Sequence, residues 1–264
     1  MAAIEPMEQF MVHKIMTIGP VHIQGIGDLD LSITNTVMFM LVATALIVAF
    51  FLVSARRELV PGRMQALAEI FHDMIDGTLT GGIIGDRGRP FLPFIFTLFF
   101  LIAMLNLVGL VPFAFSVTAQ LAVTTTLAFM TFLIVLIIGF ARNGLGFFKL
   151  FWPSGVNVGM ALFIALMEFI SFIIRPLTLA MRLFGNMIGG HIVVYMFASF
   201  VVAMGVFALK GGLASLGLAG SALSLSIVVA LMALELVVAF LQAFVFAALT
   251  CVYLNEVVNL DHGH

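Results

Sequence analysis

Residues 168–207 read EFISFIIRPLTLAMRLFGNMIGGHIVVYMFASFVVAMGVF, and this stretch decides the fold. It is apolar enough for a membrane helix, yet it carries Arg182, followed at once by Leu183, Phe184, Gly185 and Asn186. A guanidinium stays protonated at any physiological pH, so a permanent cation stands where hydrocarbon or buried protein is expected. Placing an Arg at mid-bilayer costs from about 2.5 to more than 10 kcal/mol. Such a cost requires a function or a partner's charge.

The rest of the chain agrees with a membrane setting. Hydrophobic residues fill 63% of the 264 positions and charged residues only 9%, a balance that would leave a water-soluble domain covered in apolar patches. The net charge is −2 and no Lys/Arg-rich run occurs, which removes the electrostatic footprint of a nucleic-acid binder. Cys251, the single cysteine, has no disulfide partner and no metal-ligand spacing, so redox chemistry is not expected. Residues 1–33 hold Glu5, Glu8, Asp28 and Asp30 but only Lys14 as a basic residue, and lack the pattern of a signal peptide or of an Arg-rich transit peptide.

About 20 apolar residues span a bilayer core as a helix. On that ruler spans are expected near 34–55, 91–114, 118–141, 158–209 and 223–255, behind an external segment 1–33, with residues 34–264 forming a single membrane domain. At about 1.5 Å per residue a helix of some 50 residues is roughly 75 Å long, so the last two must tilt strongly, bend near Gly189 and Gly190, or break. Seven of the eleven Lys and Arg (Arg56, Arg57, Arg63, Arg87, Arg89, Arg142 and Lys149) fall in the loops after spans one and three. The positive-inside rule makes those loops cytoplasmic, with the amino terminus outside and the carboxyl terminus inside. Within the first of these loops, between Arg56 and Pro90, Met64, Leu67, Phe71, Met74 and Ile75 recur at helical spacing against Glu69, His72, Asp73 and Asp76, which predicts an amphipathic surface helix near 62–77. Trp152 suits an interfacial anchor. The expected class is therefore an all-α integral membrane protein, with about five embedded helices and two long final ones.

Four further ionisable residues lie in the last two spans: Glu168, Arg175, His191 and Glu235. Seven-residue steps bring Glu168, Arg175 and Arg182 onto one stripe about 21 Å long. Neighbours on it are about 10 Å apart along the axis, beyond the usual i+3 and i+4 pairs, so direct neutralisation is not expected and the stripe must be wet or faced by another helix. Glu235 and Gln242 repeat that step on the final span. His191 lies about half a turn from Arg182, on another face. If the two long helices run antiparallel, His191 and Glu235 meet toward the outer side, where a carboxylate beside an imidazole makes a proton relay. Gly185, Gly189, Gly190 and Ala180 supply small surface for a closely packed partner helix.

At these residues a family resemblance becomes visible. The run Arg175-Pro176-Leu177-Thr178-Leu179-Ala180-Met181-Arg182-Leu183-Phe184-Gly185-Asn186-Met187 resembles the signature of subunit a of the F-type ATP synthase. Leu241-Gln242-Ala243-Phe244-Val245-Phe246 through Thr250-Cys251-Val252-Tyr253-Leu254, and Asn106-Leu107-Val108-Gly109-Leu110-Val111-Pro112, are similar to two further stretches of that family, and the likeness covers the chain from about residue 90 onward. The resemblance implies that Arg182 is the stator arginine facing a rotating ring of c subunits. It implies that Asn186, His191, Glu235 and Gln242 line the proton-uptake half-channel, and that Thr178, Arg175 and Glu168 line the route to the cytoplasmic or matrix side. The order of imidazole and acid resembles the mitochondrial and alphaproteobacterial arrangement, and Gly109 stands where some members carry an acid. The implied partners are the c-ring, the b-subunit peripheral stalk, other Fo subunits and lipid. The implied location is the bacterial inner membrane or, alternatively, the mitochondrial one. No cofactor, metal or bond-making step is implied.

Two other classes fare worse on sequence. A secondary transporter should show an internal repeat with matched broken helices, and none is found. An intramembrane hydrolase should show a zinc-ligand spacing or Gly-x-Ser-x-Gly, and neither occurs.

Overall fold

The computed structural model describes residues 11–16, 21–23, 27–29, 32–55, 62–111, 114–152, 157–209 and 216–259. Arg56, Arg57, Lys210, Pro112, Glu5, Glu8, Asp30 and residues 260–264 lie outside the described residues. Among the described residues, five helices are long and apolar enough to cross a membrane: α1 (Asn35–Ser54), α3 (Leu92–Gly109, with a 3-10 turn Asp86–Phe91 before it), α4 (Leu121–Asn143), α5 (Val158–Ala208) and α6 (Leu216–Val258). A shorter α2 (Arg63–Met74) falls where the amphipathic pattern predicts a helix. Helix α5 continues unbroken through Pro176, Gly189 and Gly190. None of the residues in the most apolar window of α5 is buried within the chain. Apolar surface left open on that scale needs lipid or other subunits to cover it, so the protein is a multi-pass membrane protein.

Two compact units share α1, α3, α5 and α6. The first holds Met1–Thr44, Leu105–Gln120 and Phe184–Leu241. Four short strands precede α1 here: β1 (Lys14–Met16), β2 (Val21–Ile23), β3 (Gly27–Leu29) and β4 (Ile33–Thr34). They make two antiparallel pairs, β1 with β4 and β2 with β3, a small addition to the all-α architecture that the sequence reading left unassigned. Asn35 fastens the β4–α1 junction, accepting from Thr36 N at 2.9 Å and His13 N at 3.3 Å and donating to Met11 O at 3.2 Å. In the same unit α5 and α6 run antiparallel. Ser221 Oγ donates to Val201 O at 3.0 Å, and a Cβ on Gly217 would stand 2.8 Å from Met204 O, so glycine lets the two backbones approach. Asn106, fully buried on α3, donates to Ala239 O at 3.1 Å and ties that helix to α6.

The second unit holds Ala45–Met104, Leu121–Leu183 and Gln242–His264. Phe50, Phe51, Phe71, Phe96, Phe99 and Phe100 form one aromatic cluster across α1, α2 and α3. Phe132, Phe147, Phe151 and Phe172 form a second, between α4, the 3-10 segment Gly144–Phe151 and α5. Beyond Met74 the helix widens into a ten-residue π segment, Ile75–Ile84, which buries Ile75, Leu79, Thr80 and Ile84 and stops at Gly85, whose φ of 80° suits glycine. In the last turns of α6, Cys251, Leu254 and Val257 are fully buried.

Candidate functional site

In the first unit the antiparallel packing of α5 on α6 brings His191 and Glu235 together. Nε2 of His191 lies 3.9 Å from Oε1 of Glu235, and both side chains are largely enclosed. The gap exceeds hydrogen-bond range. Gly190 makes room for the carboxyl: a Cβ there would stand 2.6 Å from Glu235 Oε1. Two cavities flank the pair. One, of about 300 Å³, is lined by His191, Glu235, Tyr195 and the Gly109–Val111 turn. The other, of about 220 Å³, is lined by Glu235, Asn186 and Gly190. Glu235 thus borders both cavities, with His191 on the first and Asn186 on the second.

In the second unit Phe172, Leu179, Ala180 and Leu183 bury one face of α5. Arg182 lies about 100° around the helix from Leu183 and is exposed. Among the described residues, its guanidinium makes no ion pair or hydrogen bond. Arg175, two turns earlier, is in the opposite condition. It pairs with Glu168 at 3.2 Å and with Glu256 of α6, and its Cζ sits 4.9 Å from the Tyr253 ring and 5.6 Å from the Phe172 ring. The expectation that Glu168 and Arg175 do not neutralise each other directly is therefore corrected. Helical side chains lean toward the amino terminus, so a long arginine at i+7 reaches back to a glutamate that i+4 spacing rules out. Thr178 is exposed and donates to Arg175 O at 2.8 Å, while Gln242 is buried on α6.

Two comparisons with known proteins bear on this arrangement. The family described as ATP synthase A chain matches residues 37–255. The chain is also 46% identical to the ATP synthase subunit a of Rhodopseudomonas palustris (strain BisB18) over 98% of its own length and 100% of the relative's. The chain belongs to the ATP synthase subunit a family. Subunit a of Hyphomonas neptunium (strain ATCC 15444) is 43% identical, with 98% of each chain covered, and that of Nitrobacter hamburgensis (strain DSM 10229 / NCIMB 13809 / X14) is 43% identical over 98% of this chain and 100% of its own. The family match begins at residue 37, well before the stretch near residue 90 where the likeness becomes readable by eye.

Glu256 is the subunit a residue that sequence reasoning missed. Its signal was present: Glu235, Gln242, Leu249 and Glu256 continue one seven-residue step along α6. Leu249 interrupts the polar series, and Glu256 lies among residues read as the carboxyl-terminal tail. Gly190, read as small surface for a neighbouring helix, does face one, and what it receives from α6 is the Glu235 carboxyl group.

Proposed function

We propose that this subunit a is the proton-translocating stator of the F-type ATP synthase, offering two offset half-channels to a ring of c subunits in the bacterial plasma membrane. The carrying observation is the contrast between the two arginines of α5: Arg175 has two carboxylates of its own chain, while Arg182 is exposed without one among the described residues. An unpaired cation on a helix face bared to the membrane calls for an anion from another subunit. A carboxylate carried on the c-ring supplies it.

Protons reach the ring from the outer side past the His191–Glu235 pair, through the two cavities and past Asn186, with Gln242 farther along α6. A c-subunit carboxylate takes the proton, becomes neutral and turns into lipid. After nearly a full turn it meets Arg182, which favours the ionised form by on the order of 4 kcal/mol for charges about 4 Å apart at an effective dielectric near 20. The released proton leaves past Thr178 and the Glu168–Arg175–Glu256 cluster. Arg182 also bars a direct crossing, because a fixed positive charge repels a proton. Each charge moved through 100 mV delivers about 2.3 kcal/mol, which the rotor converts to torque.

In this reading residues 34–264 form one membrane domain behind an external segment 1–33, with α5 and α6 steeply tilted. Arg63, Arg87, Arg89 and Arg142 lie on the cytoplasmic side. Helix α2 rests on the membrane surface with Met64, Leu67 and Ile70, all exposed within the chain, in the lipid. The b-subunit stalk and other Fo subunits cover further faces. The test is Arg182→Ala: ATP-driven proton pumping is lost in membranes where the complex still assembles, and normal coupled pumping contradicts the reading.

A further inference from the structure

The carboxyl-terminal turn of α6 is held by two asparagines on either side of Glu256. Helix ends leave their last carbonyls without intrahelical donors, so those of residues 255–258 need partners from elsewhere. Asn143, the last residue of α4, donates through Nδ2 to Val257 O at 2.6 Å and to Gly139 O of its own helix at 3.2 Å. Asn259 donates through Nδ2 to Ile84 O, the final carbonyl of the π segment, at 3.1 Å. The same amide donates to Asn255 Oδ1, and Asn259 N donates to Asn255 O at 3.0 Å. Val257, fully buried, packs where α4 has Gly139: a Cβ on that glycine would stand 3.3 Å from Val257 Cγ1 and 2.7 Å from Phe147 Cε2.

These contacts fix both the rotation and the height of the turn. A slip of one residue would swing Glu256 about 100° around α6 and move it about 1.5 Å along the axis. Either displacement takes its carboxylate off Arg175, which is anchored on another helix against Phe172 and Glu168. We propose that Asn143 and Asn259 are positioning residues for proton release, holding the end of α6 so that Glu256 stays paired with Arg175. The proposal rests on the reading of the Glu168–Arg175–Glu256 cluster as the release route. The asparagines act through Glu256 and touch no proton themselves.

A double-mutant cycle on the whole ATP synthase in membrane vesicles separates this role from simple support of the fold. Passive proton flux is measured per assembled complex for Asn143→Ala, Asn259→Ala and Glu256→Gln, and for each asparagine variant combined with Glu256→Gln. Flux per complex falls about two- to tenfold in either asparagine variant, the factor matching one hydrogen bond. It falls in Glu256→Gln, and adding an asparagine change to that variant lowers it no further. Equal fold-losses with and without Glu256, or no loss in the single asparagine variants, overturn the positioning role while leaving the release route standing. Unchanged flux in Glu256→Gln overturns the release route itself and the positioning role with it.

Discussion

Gly190→Ala is the change whose effect can be worked most fully from the geometry. The new methyl carbon would stand 2.6 Å from Glu235 Oε1, 3.0 Å from Cδ and 3.3 Å from Cγ. Comfortable contacts to carbon lie near 3.5–4.0 Å, so the carboxyl must withdraw by about 1 Å. Its present distance from His191 Nε2 is 3.9 Å, so a movement of that size resets the spacing between acid and imidazole. Overpacking of this kind costs about 1–3 kcal/mol, against about 1 kcal/mol that alanine gains over glycine inside a helix. The net loss is at most about 2 kcal/mol, small enough for the complex to assemble, so folding and transport separate. Proton flux per assembled complex, followed by a pH-sensitive dye in vesicles, is expected to drop about tenfold, equivalent to about 1.4 kcal/mol in the barrier. Flux within twofold of the unaltered protein refutes the reasoning that the carboxyl must sit against the bare backbone of Gly190.

Other outcomes follow from the same geometry. Glu235→Gln keeps the shape but removes the exchangeable charge, so flux slows; unchanged flux across the pH range removes Glu235 from the path. Arg175→Gln leaves Glu168 and Glu256 as two carboxylates without their shared cation, destabilising this part of the subunit by about 1–3 kcal/mol, below the 3–5 typical of a fully buried pair because both acids are partly exposed. Loss of the subunit from membranes on mild heating reads this out, and a second change, Glu256→Gln, restores part of the stability by relieving the repulsion.

The membrane class and the helices were legible because apolar runs of about 20 residues have few other uses. The meeting of His191 with Glu235 was legible too, since the only geometric assumption needed was antiparallel packing of two consecutive long helices. The Arg175 cluster was not. Spacing rules describe where Cβ atoms lie, whereas Arg175 and Glu168 meet through long side chains that lean along the axis. Glu256 joins them from a helix 81 positions away in sequence, a pairing no local pattern encodes. The π segment Ile75–Ile84 and the strand pairs before α1 escaped for another reason. Both are short departures from regular periodicity, set by which side chains find burial and by turns whose composition resembles ordinary loop.

On the proposed function, Arg182 faces a moving acid supplied by another polypeptide. A cysteine at position 185 tests it most directly, because Gly185 lies close to Arg182 around the helix and a Cβ there meets nothing within 4 Å, so the substitution fits the fold. The native Cys251 is buried and stays out of the reaction. In oxidised membranes bearing Gly185→Cys together with a cysteine beside the carboxylate of the c subunit, a disulfide is expected to join the two subunits and stop rotation. Absence of that crosslink in fully assembled complexes, with the cysteine at 185 labelled by a lipid-soluble maleimide as in free subunit a, contradicts it.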